Sequence, residues 1–147
     1  MASIEYEGLD ELLHAFDRIS DIPEDVQRKA LTEMAELAKD FIKKEGETMG
    51  VRDDESSTHI LDNIKLKKAV INKTNTLSYL DITFSGTRRR GKTKTRNATI
   101  AFVNEYGKRN QSARPFIGVA MTENADKITD AGAEIIGKWM EQEFIKK

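Results

Sequence analysis

The sequence predicts one α+β domain spanning residues 1–147: a small antiparallel sheet packed on one face by a long helix from the N-terminal half and by a C-terminal helix, with a long basic hairpin loop. Two stretches carry apolar residues at helical spacing, Val26 to Phe41 and Met121 to Trp139. Between them lie three segments that read as strands, joined by links too short for crossover helices, which selects antiparallel pairing. At 147 residues the chain is long enough to bury one core without staples.

In chain order, "SIEYE" (3–7) alternates Ile4 and Tyr6 with polar neighbours, as a half-buried strand does. "GLDELLHAFDRIS" then sets Leu9, Leu12, Leu13, Phe16 and Ile19 on one face of a short helix. Asp21 and Glu24 have capping-box spacing, with Pro23 where a first turn tolerates it. The stripe Val26, Ala30, Met34, Leu37, Ala38 and Phe41 predicts a long helix from Pro23 to Lys44, with Gly46 as its C-cap. "GETMGVRDDESSTH" (46–59) has turn formers and no period, the pattern of a mobile loop. "ILDNIKLKKAVIN" and "TLSYLDITFS" read as two strands turning at Lys73–Thr76, and "ATIAFVNEY" as a third that ends at Gly107. "GKRNQSARP" is a second loop. From Phe116 a stripe through Met121, Ala125, Ile128, Gly132, Ile135 and Trp139 predicts the closing helix, with Trp139 and Phe144 as core or interface residues.

Charge is uneven. Residues 1–50 hold 13 acidic and 6 basic side chains, whereas residues 86–114 hold 9 basic and 1 acidic. A chain with an acidic region and a basic segment attracts copies of itself or a polyanion at one place. With no cysteine there is no disulfide framework, thiolate nucleophile or zinc–sulfur site. No apolar run approaches a membrane span, and the N-terminus lacks a signal peptide's apolar core, so neither lipid insertion nor export is expected.

"GTRRRGKT" (86–93) matches the phosphate-cradling pattern G-x-x-x-x-G-K-[ST]. Such a cradle needs a strand before it and a helix opening at the lysine, within a parallel sheet. The preceding strand is plausible, but "KTKTRNATIAFV" reads as loop and strand. A hairpin is the better reading, with residues 77–85 and 98–105 as arms. Its tip, 86–97, carries Arg88, Arg89, Arg90, Lys92, Lys94 and Arg96, whose repulsion keeps it extended unless a polyanion or an acidic neighbour is present. Without interleaved aromatics to stack on bases, non-specific phosphate contact is the chemistry expected of it.

Asp53, Asp54 and Glu55 with His59 are a weak cation-site candidate, because consecutive carboxylates do not converge as in a calcium loop. His14 sits at a helix flank, far in sequence from the only other histidine. No catalytic apparatus, metal site or cofactor site is expected.

The stretch "AFVNEYGKRNQSARPFIGVAMTENADKI" runs strand, acid–aromatic–glycine, polar loop, Arg-Pro-Phe, then helix. With Val103, Glu105, Tyr106, Gly107, Ala113, Arg114, Pro115, Phe116, Ile117 and Ala120 it resembles the C-terminal signature of the tail-component family of long-tailed bacteriophages and prophages. Asn104 separates Val103 from Glu105, and Gly118 stands where a bulkier residue or proline is common. The opening "IEYEGLDELLHAFDRI" is also similar to that family's start, so the resemblance spans nearly the whole chain. It implies a structural, non-enzymatic virion protein at the head–tail junction, of tail-completion or tail-terminator type. The subunits would form rings, of six in the family, that meet other tail and connector proteins, with DNA passing through. Assembly would occur in the bacterial host cytoplasm and the product would reside in the tail or neck. The basic residues 88–96 would then line the DNA channel or reach the neighbouring ring, and Glu105 and Arg114 would pair at a subunit interface. The alternative class is a small non-specific DNA-binding protein of a mobile element using the same basic loop, disfavoured by the acidic helix faces and by the lack of a helix-turn-helix pattern.

Overall fold

Helix α1 (Glu24–Thr48) is the axis of the molecule, seen in a computed structural model that describes residues 22–72 and 78–146. The strand expected at 3–7, the helix over 9–19, His14, Asp21 and the turn Lys73–Thr76 lie outside the described residues. Pro23 precedes the first turn of α1, and Glu24 and Asp25 place negative charge at its positive end. The buried stripe is Ala30, Ala35, Ala38, Ile42 and Gly46. The predicted stop at Gly46 is corrected: the helix runs a turn further. Gly46 is inside it because a Cβ there would come within 2.5 Å of Leu61 Cδ2 and 3.2 Å of Phe116 Cδ2. The helix closes at Met49, whose N–H donates to Glu45 O at 2.9 Å.

The chain is α+β, and among the described residues its antiparallel pairing is distributed over two two-stranded sheets. Strand β1 (Ile64–Leu66) pairs with β2 (Ile82–Phe84) in the register Ile64↔Phe84, and a further bridge joins Val70 to Tyr79. Both β1 and the 3₁₀ turn Ile60–Asp62 before it contact α1. Strands β3 (Thr87–Arg90) and β4 (Thr93–Arg96) make a separate hairpin around Gly91, whose φ of +59° suits a two-residue turn. The hairpin thus lies within the segment expected to be a structureless tip.

The third strand is corrected to a helix. Residues Asn97–Tyr106 form α2, with Asn97, Ala101 and Asn104 as its buried stripe. Threonine, isoleucine, valine and phenylalanine gave this segment strand character by propensity. Tertiary context overrides it: two asparagines and an alanine at helical spacing face the core, and Phe102 faces outward. The closing helix is also two, α3 (Phe116–Glu123) and α4 (Ala125–Ile145), broken at Asn124, whose side-chain amide donates to Ala120 O at 2.9 Å. Helix α4 packs along α1, with Gly132 against Met34.

One core joins these parts. Ile42, Val51, Ile60, Leu61, Ile64, Ala101, Phe116 and Ala120 are buried together, and Phe84 meets Phe116 edge to face at 6.0 Å. Ion pairs from Arg88 and Arg90 to Asp53 and Asp54 hold the basic hairpin against the 51–59 segment. That segment, expected to be mobile, is tied down at several points: Val51 is in the core and His59 is buried as the cap of the 3₁₀ turn, its Nδ1 accepting from Leu61 N–H at 3.1 Å.

Candidate functional site: a basic hairpin latched by two aspartates

In an antiparallel hairpin, cross-strand partners share a face and the next pair takes the other. The register here pairs Thr87 with Arg96, Arg88 with Thr95, Arg89 with Lys94, and Arg90 with Thr93. Arg88, Arg90, Thr93 and Thr95 therefore form one face, and Arg89, Lys94 and Arg96 the other, with Lys92 at the turn. The six cations singled out in the sequence divide accordingly.

The inner face meets the 51–59 segment. Arg88 is only 7% exposed, and its Nη2 bonds Asp53 Oδ1 at 2.8 Å and also Asp54 Oδ2. Arg90 pairs with the other oxygen of Asp53 and stays 70% exposed. His59 Nε2 lies 3.3 Å from Asp53 Oδ1. Since Nδ1 accepts from a backbone amide, the proton of a neutral ring sits on Nε2 and points at that carboxylate. Burial pushes the Asp53 carboxyl up, but the Arg88 hydrogen bond and the Arg88 and Arg90 charges outweigh it and hold it below the usual carboxylate range. Asp54 is held low first by the Ser56 N–H at 3.0 Å, then by Arg88. Arg88 is in turn raised, chiefly by its hydrogen bond to Asp53. The acidic neighbour that relieves the hairpin's repulsion is thus within the same chain.

A second clamp holds the base of this segment. The Arg52 fork gives Asp62 two bonds of 2.9 Å, and its Nε donates to Glu47 at 2.8 Å. The Asp62 carboxyl falls to about 2 because of Arg52 and then Lys43. The cation-site candidate dissolves into these pairs: among the described residues no cluster of His, Asp and Glu is arranged to hold a metal ion.

The outer face makes no such contacts among the described residues. Arg89, Lys92, Lys94 and Arg96 are exposed, and no ion pair among the described residues uses them. The "GTRRRGKT" stretch therefore makes no phosphate cradle. Its lysine sits on a hairpin turn between antiparallel strands, and the next helix opens only at Asn97.

Glu105 and Arg114 are near one corner but do not pair with each other. The Glu105 carboxylate accepts from the N–H groups of Ile117 and Gly118, each at 2.9 Å, and so caps the start of α3 from twelve residues upstream. A side chain at Gly118 would press on that carboxylate, a Cβ coming within 2.9 Å of Oε1, which accounts for glycine there. Arg114 donates from Nη1 to Gly50 O at 2.8 Å, while its own N–H bonds Asn104 O. Glu105→Ala is expected to cost about 1–2 kcal/mol, the range for a lost helix cap. Thermal unfolding measures the loss, and Gly118→Ala should add little to it because both changes act on one carboxylate.

The residues missed by sequence reasoning are Asp53 and Asp54 as hairpin partners, and the exposed aromatic pair Phe102 and Tyr106 on α2, whose rings lie 4.8 Å apart. The acidic "DDE" and basic "RRR" triplets were the available signal for the first. The second follows only once 97–106 is known to be helical.

The fold and the site define an α+β domain with a charge-latched basic hairpin and a carboxylate-capped helical corner. Comparisons with family models, with curated proteins and with solved structures found no match. Among the described residues no helix is long and apolar enough to cross a membrane.

Proposed function

We propose that this chain is a structural, non-enzymatic assembly protein of the head–tail junction of a long-tailed phage or prophage, a tail-completion or tail-terminator-like ring subunit. It is put together in the bacterial cytoplasm and resides in the tail or neck of the virion. The observation that carries this reading is the corner built by the signature residues. Glu105 caps α3, Gly107 turns the chain out of α2, Arg114 ties the corner to the end of α1, and Phe116 is fully buried. The residues that carry the resemblance thus have interlocking architectural duties, as a rigid assembly part requires. Glu105 and Arg114 serve the interface by shaping this corner. Phe102 and Tyr106 beside it, 62% and 69% exposed, offer apolar area to a neighbouring subunit.

A second reading, non-specific DNA contact, is favoured by the outward cations Arg89, Lys92, Lys94 and Arg96. The two readings separate in one set of measurements. Light scattering of the chain, alone and with candidate tail-tube and connector proteins, is expected to give a closed ring of fixed mass with at least one of them. A monomer in every mixture overturns the assembly reading. Salt-sensitive retention of duplex DNA, lost when the four outward cations are changed to glutamine, supports the second. Arg88 is left intact in that variant because it holds the hairpin in place.

A further inference from the structure

Behind the latch lies a cleft of about 680 Å³ walled by the hairpin's inner face, by α2 and by the 107–114 loop. It is separate from the outward basic face. Among the described residues four cations line it, Arg88, Arg90, Lys108 and Arg114, against one carboxylate, Asp53. They are unequally occupied. Arg88 is committed to the two aspartates, and Arg90 and Arg114 each keep nitrogens beyond the one contact each makes among the described residues. The Lys108 ammonium has no partner among the described residues, nor do the hydroxyls of Thr93, Thr95 and Thr99, which also line the cleft. Val51, Ile100 and Val103 add an apolar strip.

We propose that this cleft binds an extended acidic peptide segment of a partner protein, with carboxylate side chains reaching Lys108, Arg90 and Arg114. Charge complementarity selects an anion, since the lining carries three more positive than negative groups. Among the described residues the lining has no aromatic face apart from the buried His59, which leaves a nucleobase no ring to stack on there. A bare inorganic phosphate would leave the apolar strip and most of the volume unused. An aliphatic acid such as a glutamate side chain uses both: its methylenes lie on the strip, its carboxylate meets the cations, and the threonine hydroxyls can donate to backbone carbonyls. Arg90 already holds a carboxylate, that of Asp53, which is the contact an incoming acid would repeat. The cleft carries this inference independently of the phage assignment.

The test is calorimetric titration of the full chain at low salt with a blocked hexaglutamate peptide, against hexaglutamine, inorganic phosphate and a short DNA duplex. Hexaglutamate is expected to bind and hexaglutamine not to. Lys108→Glu should weaken hexaglutamate by about tenfold, which is about 1.4 kcal/mol. The Lys108 side chain is exposed and makes no hydrogen bond or ion pair among the described residues, so that variant is expected to keep the fold, and circular dichroism checks this. Arg89→Gln with Lys94→Gln, on the opposite face of the hairpin, should change the affinity less than twofold. Absence of hexaglutamate binding overturns the proposal. So does equal loss in the inner and outer variants, which marks diffuse attraction, and so does phosphate or duplex DNA binding in the cleft with the same dependence on Lys108 while hexaglutamate does not.

Discussion

Replacing Gly107 with alanine is expected to destabilise the protein by about 3–4 kcal/mol and lower its melting temperature by roughly 10 °C. The residue has φ +77° and ψ 179°, a region essentially closed to side chains. A Cβ would also stand 2.8 Å from Gln111 O and 2.9 Å from Ala113 N, both backbone atoms that no rotamer change can move aside. Conformational strain accounts for about 1–3 kcal/mol and the backbone clash for a similar amount. Relief would open the 107–113 turn, which brings Arg114 N–H to Asn104 O and, through Pro115, sets Phe116 in the core. Calorimetry measures the loss, and hydrogen exchange should show the Ile117 and Gly118 amides released as the Glu105 cap drifts away. An alanine variant within about 0.5 kcal/mol of the parent would show that this corner is not the rigid joint its geometry describes.

The same corner shows what the sequence made legible and what it did not. Gly107, Pro115 and Phe116 were readable because each acts locally, on a turn, a φ angle or a helix start. Helix α1 was readable because Ala30 and Ala38 recur on one face with apolar neighbours. Its end was not: a glycine near a helix terminus signals either a positive φ or a tight contact, and only Leu61 and Phe116 pressing on Gly46 decide which. For 97–106 the local and global signals conflict. Its large apolar residues favour a strand, while its burial follows Asn97, Ala101 and Asn104. Asn97 is held from afar, its amide donating to Ser85 O at 2.7 Å and Thr58 O at 3.1 Å. The break at Asn124 hides inside an unbroken apolar period. For the basic segment, composition revealed six cations and their repulsion. It did not reveal the division into two faces, because the cancelling carboxylates of Asp53 and Asp54 lie more than thirty residues upstream.

That division supplies the sharpest internal comparison. Arg88 and Arg90 are two residues apart on one strand, share a face and share Asp53 as partner, yet they differ tenfold in exposure, 7% against 70%. Arg88→Ala is expected to cost about 2–3 kcal/mol, and Arg90→Ala at most about 1 kcal/mol. Removing one partner of a fully buried ion pair costs about 3–5 kcal/mol, because a charge stays behind without water or a counterion. The Asp53 and Asp54 side chains are each 43% exposed, so water recovers part of that loss and the lower figure applies. Arg88→Lys should fall between, since a single ammonium lacks the guanidinium's spread of donors across two carboxylates. Arg88→Met with Asp53→Asn and Asp54→Asn should recover much of the loss, because the stranded charges go with their partner. Salt separates the two sites further: screening erodes the exposed Arg90 pair and leaves the Arg88 pair largely intact. Urea unfolding gives the energies, and trypsin, which cuts after the exposed Arg89 and Lys92, reports whether the hairpin has come free. Equal effects from Arg88→Ala and Arg90→Ala would mean that burial does not govern this latch, and that the hairpin is held by its backbone pairing alone.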